Sequence, residues 1–322
     1  MPYKSLPIAI ALTALTWTVP ASATDIVTSI KPLELLVKAV AGESVSVSTL
    51  IPPGSSPHNY SMKPSQRQAL AQADVIFWVG PDMETFLGRL LKGKEFHEKS
   101  VAFLDSDDLD TTEEDHADHG HQHEEHDHHD HTENLNLHEH DHGEGEDPHI
   151  WVDPMLALKM ATDIRQALAR FDSLNQSELD ANLARFEADL RASEQSIRAS
   201  FSGLANVSLF AYHDAFTRYA EHYGLSLEGT LTLNPELSPG ARHIANVQNK
   251  LQAATHPCLL TEPQFNRQWW RSITEGIDVT FSTWDPLATE IASTPSGYVE
   301  FQQSVAEAVL ACLPEQAQHQ GN

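Results

Sequence analysis

The sequence predicts an α/β fold of two lobes, in which each lobe has a parallel-type sheet covered by helices. One long rigid helix is expected to join them. Short apolar runs alternate with helical segments from residue 24 to about 172, and the alternation returns after residue 203. Such alternation is typical of parallel sheets covered by helices. The expected domains are residues 24–172, a linking helix at 173–202, and residues 203–322.

Apolar runs mark the predicted strands. The run DVIFWVG at 74–80 is apolar almost throughout, as expected of a strand buried on both faces of a parallel sheet. The other strands are predicted at 25–30, 44–51, 101–105, 207–212, 225–231, 258–262 and 279–282. The helices are predicted from residue 31 and at 65–72, 83–91, 154–171, 214–223, 239–254, 267–275 and 296–310.

The linking segment carries a single apolar stripe. Its apolar positions repeat at helical spacing, and neither Gly nor Pro occurs from Ser177 to Ser202. At ~1.5 Å per residue this helix is close to 40 Å long, which is more than one small lobe requires. We therefore interpret it as a strut between the lobes, with an ordinary surface helix as the alternative.

The N-terminal residues 1–23 predict a secretory signal peptide. Lys4 supplies the positive charge, residues 6–19 the apolar core, and Ala21 to Ala23 a small-residue cleavage site. No later run approaches the ~18 apolar residues of a membrane span, so no direct membrane insertion is expected. Export to the periplasm is the prediction. In an oxidising compartment Cys258 and Cys312 can form a disulfide, which is a better interpretation there than two free thiols.

A segment rich in histidine and acidic residues, at 113–147, interrupts the first lobe. The net charge is −26, but 18 acidic residues lie unopposed between 105 and 147, and without them it is −8. The remaining surface has no basic patch, so nucleic acid is not an expected partner. The segment is too polar to bury a core and is expected to be a mobile loop. Its histidines are predicted to bind additional metal weakly: His116, His119, His121, His123, His126, His128, His129, His131, His138, His140 and His142.

Four potential metal ligands follow predicted strands or close the loop. They are His58, His149, His213 and Asp285. Each alone is more often a capping or hydrogen-bonded residue, but their common topological position suggests that they converge in the cleft between the lobes. Three histidines and one aspartate would form a tetrahedral zinc site. The remaining histidines are interpreted as structural: His97, His222, His243, His256 and His319.

Several motifs, in order, resemble the ZnuA-type zinc-binding proteins of ABC importers, within the cluster A-I metal-binding family. They are IPPGSSPHNYSMKPSQ, WVGPDMETFL, DPHIWVDP, YHDAF, LNPELSPGARHI, TEPQFN and DPLA. The resemblance implies two α/β lobes, a long connecting helix and metal in the interlobe cleft. It implies that His58, His149 and His213 are the histidine ligands. Asp285 matches the aspartate that completes the site in some members.

Other members complete the site with water, or with a glutamate directly before the first histidine. Here that position is Pro57, which favours Asp285 or water. Cys258 and Cys312 match the family's disulfide pair. The expected function is a monomeric receptor that delivers Zn²⁺, its transported ligand, to an integral-membrane ABC permease.

Two other functions stay open at this stage. One is a zinc storage or buffering protein that acts through the histidine-rich loop. The other is a manganese-type receptor of the same family, although such relatives tend to have a carboxylate in place of His213. An enzyme is not expected, because the sequence contains no GxSxG motif and its HExxH match, at residues 138–142, lies in the histidine-rich loop rather than on a predicted helix.

Overall fold

The computed structural model describes residues 24–104, 147–232, 239–265 and 267–314. The predicted signal peptide at 1–23 lies outside the described residues, as do residues 113–146 of the predicted loop with all eleven of its histidines. Asp147, the last residue of that segment, is described. Within the described ranges, none of the helices combines the length and the apolar character that a bilayer span needs.

In the part of the chain that the structure describes, eight strands form two parallel sheets of four strands each. The first sheet has the order β2-β1-β3-β4, and the second the order β6-β5-β7-β8. The strands are β1 (Thr24–Thr28), β2 (Val45–Thr49), β3 (Val75–Trp78), β4 (Ser100–Ala102), β5 (Ser208–His213), β6 (Leu227–Thr232), β7 (Pro257–Thr261) and β8 (Thr280–Thr283). The predicted fold class is confirmed, and the two sheets share one topology.

Helices follow most of these strands and cover the sheets. They are α1 (Lys31–Ala41), α2 (Pro64–Gln72), α3 (Thr85–Leu91), α4 (Pro154–Leu168), α5 (Gln176–Ser200), α6 (Thr217–Tyr223), α7 (Ala241–Ala253), α8 (Arg267–Thr274) and α9 (Gly297–Leu310). Short 3-10 helices occupy His97–Lys99, Ile150–Val152 and Phe201–Asn206. Their positions follow the sequence prediction closely.

Side-chain hydrogen bonds explain where helix limits differ from the prediction. Helix α6 was expected from residue 214 but begins at Thr217, whose hydroxyl donates to the Asp214 carboxylate. A residue that captures a nearby donor in this way favours a turn over a helix interior. Similarly, α3 was expected from residue 83 but begins at Thr85, because the Glu84 carboxylate accepts from the Gly80 N–H and holds a turn there.

Helices from both halves of the chain pack together and form a continuous core. Helix α1 contacts α4, α5 and α9, and the 25-residue helix α5 contacts α1, α4 and α9. Gly297 permits the approach of α9 to α1, since a Cβ there would lie 2.8 Å from Leu35 Cδ2 and 2.5 Å from the Ala292 carbonyl oxygen. One cluster of buried apolar residues runs through both halves. That α5 acts as a strut between two lobes remains a prediction.

The predicted disulfide is present. Cys258 on β7 is bonded to Cys312 just beyond α9, across a sequence separation of 54 residues. Both cysteines are buried, at 0% and 1% exposure. The bond ties a central strand of the second sheet to the last helix, and it closes a long loop of the unfolded chain.

Titration of thiols in the unfolded, unreduced protein should detect none, and after reduction it should detect two. Replacing both cysteines by serine should lower the free energy of unfolding by roughly 4 kcal/mol, because the unfolded chain is then no longer constrained. Two reactive thiols before reduction would contradict the assignment.

A buried carboxylate joins the ends of the two central strands of the first sheet. Glu84 is 0% exposed. It accepts hydrogen bonds from the Ser29 hydroxyl and from the backbone N–H groups of Val79 at 3.3 Å and Gly80 at 3.0 Å. Burial raises the pKa of Glu84 to about 7, against the lowering effect of these hydrogen bonds.

The pKa of Glu84 makes the stability of the fold depend on pH. Between its unfolded value of 4.5 and its folded value of about 7, the folded state binds the extra proton. The contribution of Glu84 to the free energy of unfolding is therefore fully present below pH 4.5 and is lost as the pH rises through 7. This contribution amounts to about 3 kcal/mol. The free energy of unfolding can be measured in denaturant at pH 5 and pH 8 for the parent and for Glu84→Gln. The difference between the two proteins should show this fall from pH 5 to pH 8. A Gln variant with the pH dependence of the parent would refute it.

Candidate metal centre

His58 reaches the centre from the loop that follows β2. Three prolines stiffen this loop, at Pro52, Pro53 and Pro57, and the Ser55 N–H donates to the Pro52 carbonyl at 3.2 Å to form a turn. The His58 N–H donates to Ser56 Oγ at 3.3 Å. The first sheet therefore supplies this ring through a loop with little conformational freedom.

His149 lies on a short segment that is anchored in the second half of the chain. It directly precedes the 3-10 helix Ile150–Val152. The Trp151 indole N–H donates to the Pro286 carbonyl at 2.7 Å, and the Tyr298 hydroxyl donates to the Trp151 carbonyl at 2.7 Å. His149 itself is 5% exposed. Its backbone position is thus set by contacts with α9 and with the turn after β8.

His213 is the last residue of β5, in the centre of the second sheet. The neighbouring strand β7 is parallel to β5, so the two strands end at the same edge of the sheet. Glu262 directly follows β7, and its Oε1 lies 2.5 Å from His213 Nδ1. Both side chains are buried, at 2% exposure for Glu262 and 3% for His213.

The rings of His58 and His213 both direct Nε2 at the Nε2 atom of His149. His149 Nε2 lies 3.3 Å from His58 Nε2 and 3.4 Å from His213 Nε2. One ligand atom from each ring lies within 4.8 Å of the other two. The edge of a tetrahedron is about 1.6 times its centre-to-corner distance, so nitrogens ~2.0–2.1 Å from zinc lie about 3.3–3.4 Å apart. The two measured spacings match this tetrahedral edge.

Two carboxylates determine which ring nitrogens carry the protons. Asp147 Oδ1 lies 2.8 Å from His149 Nδ1, and Glu262 Oε1 lies 2.5 Å from His213 Nδ1. An ionised carboxylate only accepts, so each Nδ1 is the donor and each Nε2 keeps its lone pair. Two lone pairs 3.4 Å apart repel each other. A cation between them turns that repulsion into coordination.

Burial lowers the pKa of two of the histidines, His58 and His149. Desolvation, with the nearby rings of His149 and His213, lowers the pKa of His58 from 6.5 to about 3. Burial also lowers the pKa of His149, although Asp147 opposes the effect. Burial raises the pKa of Asp147, but the hydrogen bond from His149 and the charges of His149 and Arg218 outweigh it, so the pKa lies below 3.8. Neutral rings bind a metal ion without first releasing a proton.

The space among the rings is small and is enclosed mainly by apolar groups. Its volume is about 10 Å³, and the apolar part of its lining includes Trp151, Phe265, Pro286 and Leu287. A volume of this size holds a single ion or water molecule rather than an organic solute. The arrangement is therefore suited to one small cation.

The fourth predicted residue, Asp285, lies outside the group formed by the three histidines. Its Oδ1 accepts from the Leu287 N–H at 2.9 Å, and its Oδ2 accepts from the Thr289 N–H at 2.8 Å and from the Thr289 hydroxyl. The carboxylate thus holds the turn that carries Leu287 over the centre. Whether Asp285 also ligates metal stays a prediction.

Sequence reasoning missed the two carboxylates that orient the histidines. Asp147 was included in the loop, yet it is 11% exposed and bonds to His149 and Arg218. Glu262 was quoted only as part of a motif. A signal for it was available, because it follows an apolar strand next to the one that ends at His213.

The sequence of this chain matches one known protein family. Residues 26–312 match the family described as ZnuA, zinc-uptake complex component A, periplasmic. The high-affinity zinc uptake system protein ZnuA of Yersinia pestis is 34% identical over 302 residues, which cover 89% of this chain and 91% of that protein.

Two solved structures share the fold. A ZnuA deletion mutant with zinc bound has a TM-score of 0.70 at 23% identity and covers 90% of this chain and 98% of its own. The periplasmic zinc binding protein TroA from Treponema pallidum also has a TM-score of 0.70, at 19% identity, over 90% of this chain and 99% of its own. With its sequence matched to the family profile over nearly its whole length, the chain belongs to the ZnuA family.

Proposed function

We propose that this protein is a high-affinity zinc receptor that binds one Zn²⁺ and delivers it to an ABC-type membrane importer. The observation that carries the proposal is the spacing of the three Nε2 atoms, 3.3 and 3.4 Å between neighbours, around a space of about 10 Å³. Membership of the ZnuA family supports the same metal and the same process.

In this proposal His58, His149 and His213 are the protein ligands of zinc. Three imidazole ligands favour zinc over manganese, because a harder cation prefers carboxylate and water ligands. Water or Asp285 is the fourth ligand. The negative charges of Asp147 and Glu262, each in contact with a ligand ring, strengthen the two rings as electron donors and stabilise the cation.

The ligands come from elements of both sheets, so the ion links the two halves of the chain. His58 follows β2 of the first sheet, whereas His213 ends β5 of the second. Zinc bound there stabilises the folded protein by linkage, by roughly 4 kcal/mol at a thousandfold excess over the dissociation constant. The proposed partner is an integral-membrane ABC permease, and the proposed location is the periplasm, with the protein exported by residues 1–23 and acting as a monomer.

His213→Ala should weaken zinc binding by more than about 100-fold in a protein that lacks residues 113–146, since loss of a ligand exceeds the ~10–100-fold cost of losing a group that supports one. It should also abolish most of the rise in melting temperature that zinc causes. Competition with a chromophoric chelator and thermal unfolding with and without zinc measure the two effects.

His97→Ala is the matched control, because His97 is exposed on a 3-10 helix outside the centre. It should bind zinc like the parent. Asp285→Asn, which keeps an acceptor for the Leu287 N–H, should cost less than His213→Ala if water is the fourth ligand. Equal zinc affinity of His213→Ala and the loop-deleted parent would sink the proposal.

Residues 113–147 are proposed to bind further zinc more weakly and to raise its local concentration. Histidines of ordinary pKa protonate below about pH 6.5, so this binding should be lost as the pH falls through that value. The tight site should persist at pH 5.5, because the pKa values of His58 and His149 lie below the ordinary value. Zinc content after dialysis at pH 7.5 and 5.5, with and without residues 113–146, distinguishes the two classes of site.

One zinc per chain should remain at pH 5.5 in both proteins, and the excess at pH 7.5 should disappear with the deletion. Loss of the tight site on deletion of 113–146 would mean that the segment belongs to the centre. Zinc storage through the loop would then be the better description.

A further inference from the structure

Arg218 on α6 contacts Asp147, the residue that holds the ring of His149. Its Nε donates to the Asp147 carbonyl oxygen at 2.9 Å, and its Nη2 donates to the same oxygen. The Nε also lies 3.3 Å from Asp147 Oδ2. The two side chains are 15% and 11% exposed, so the ion pair is largely removed from solvent. Ion pairs on the surface are screened by solvent and contribute little to stability. A partly buried ion pair is screened less, so it holds its two side chains in place more strongly.

The other oxygen of Asp147 is the one that holds the ligand ring. Asp147 Oδ1 accepts from both the His149 N–H at 3.0 Å and His149 Nδ1 at 2.8 Å. Arg218 therefore restrains the backbone and one carboxylate oxygen of Asp147, while the second oxygen restrains the plane of the imidazole. The chain of contacts runs from Arg218 through Asp147 to His149 Nε2.

Helix α6 connects this chain to another ligand. His213 ends β5, and the Ala215 N–H donates to its carbonyl at 2.9 Å in the turn that leads into α6. On α6, Tyr219 and Ala220, which follow Arg218, are buried at 0% and 2% exposure and fix the helix against the core. The turn that places His213 thus also places Arg218. A displacement of α6 would change both rings together.

We propose that Arg218 is a positioning residue for the metal centre, which acts through Asp147 to keep His149 Nε2 at tetrahedral spacing from the other two histidines. The inference rests on the proposed function. Asp147 itself belongs to the centre, because it contacts both Arg218 and His149.

The test uses the protein without residues 113–146 as parent, with zinc and Co²⁺ as probes. Arg218→Met should weaken zinc binding by about 10- to 100-fold, the usual cost of losing a group that supports a metal ligand. Arg218→Lys keeps the charge and one donor, so it should recover part of the loss. The visible absorption bands of bound Co²⁺, which report coordination geometry, should shift in Arg218→Met.

A double-mutant cycle separates positioning from general stability. Asp147→Ala should also weaken zinc binding, and the double variant should lose no more than Asp147→Ala alone, because Arg218 acts through Asp147. Arg191→Met is the matched control, since it removes an exposed ion pair with Glu187 on α5. Its zinc affinity and cobalt spectrum should equal those of the parent.

Arg218→Met with parental zinc affinity, an unchanged cobalt spectrum, or strictly additive losses in the cycle would overturn the inference while leaving the proposed function intact. Absence of tight zinc binding in the parent itself would overturn the proposed function and the inference together. If Arg218→Met does not fold, Arg218→Lys and Asp147→Ala decide the matter, because full affinity in both would exclude the proposed role.

Discussion

The candidate metal centre depends on two carboxylates, one buried and one largely buried, that orient two of its three histidine rings. Glu262 and Asp147 each accept from an Nδ1 atom, and the opposite nitrogen of each ring is left with a lone pair. These lone pairs face each other at 3.4 Å, and a cation between them would relieve their repulsion. The fold therefore holds the centre in a geometry that a metal ion completes. Burial lowers the pKa of His58 and His149, and the carboxylates orient the rings of His149 and His213, so little proton release or reorganisation opposes binding.

The two sheets use the same topological position for different purposes. In each sheet a carboxylate beyond one central strand accepts from a group at the end of the other central strand. In the first sheet Glu84 accepts from Ser29 and closes the edge as a structural clamp. In the second sheet Glu262 accepts from His213 and directs that ring towards His149 in the candidate metal centre. Ligands commonly bind at this edge of open parallel sheets, where connections run in opposite directions from neighbouring strands.

Packing among helices gives the centre its fixed frame. The rings come from a loop of the first sheet, a strand of the second and the segment between them, so small shifts between the halves would change every nitrogen spacing. The contacts of α1 and α5 with α9 oppose such shifts. Hydrogen bonds from Tyr298 and Gln302 on α9 to the backbone of Trp151 and Val152 extend the same frame to within a few residues of His149.

The sequence by itself determined the elements, the parallel sheets and the residues that converge. Periodicity and strand-end position are local properties, so His58, His149 and His213 could be selected without knowledge of the fold. The cysteine pair was also predictable, because only two cysteines occur in the chain. Tertiary structure alone decided the partners of the carboxylates. Glu262 meets His213 across 49 residues and Asp147 meets Arg218 across 71, whereas Asp285 turns to its own neighbours Leu287 and Thr289. The sequence around a carboxylate does not indicate its hydrogen-bond partner. The partner depends on which donor the completed fold brings within about 3 Å.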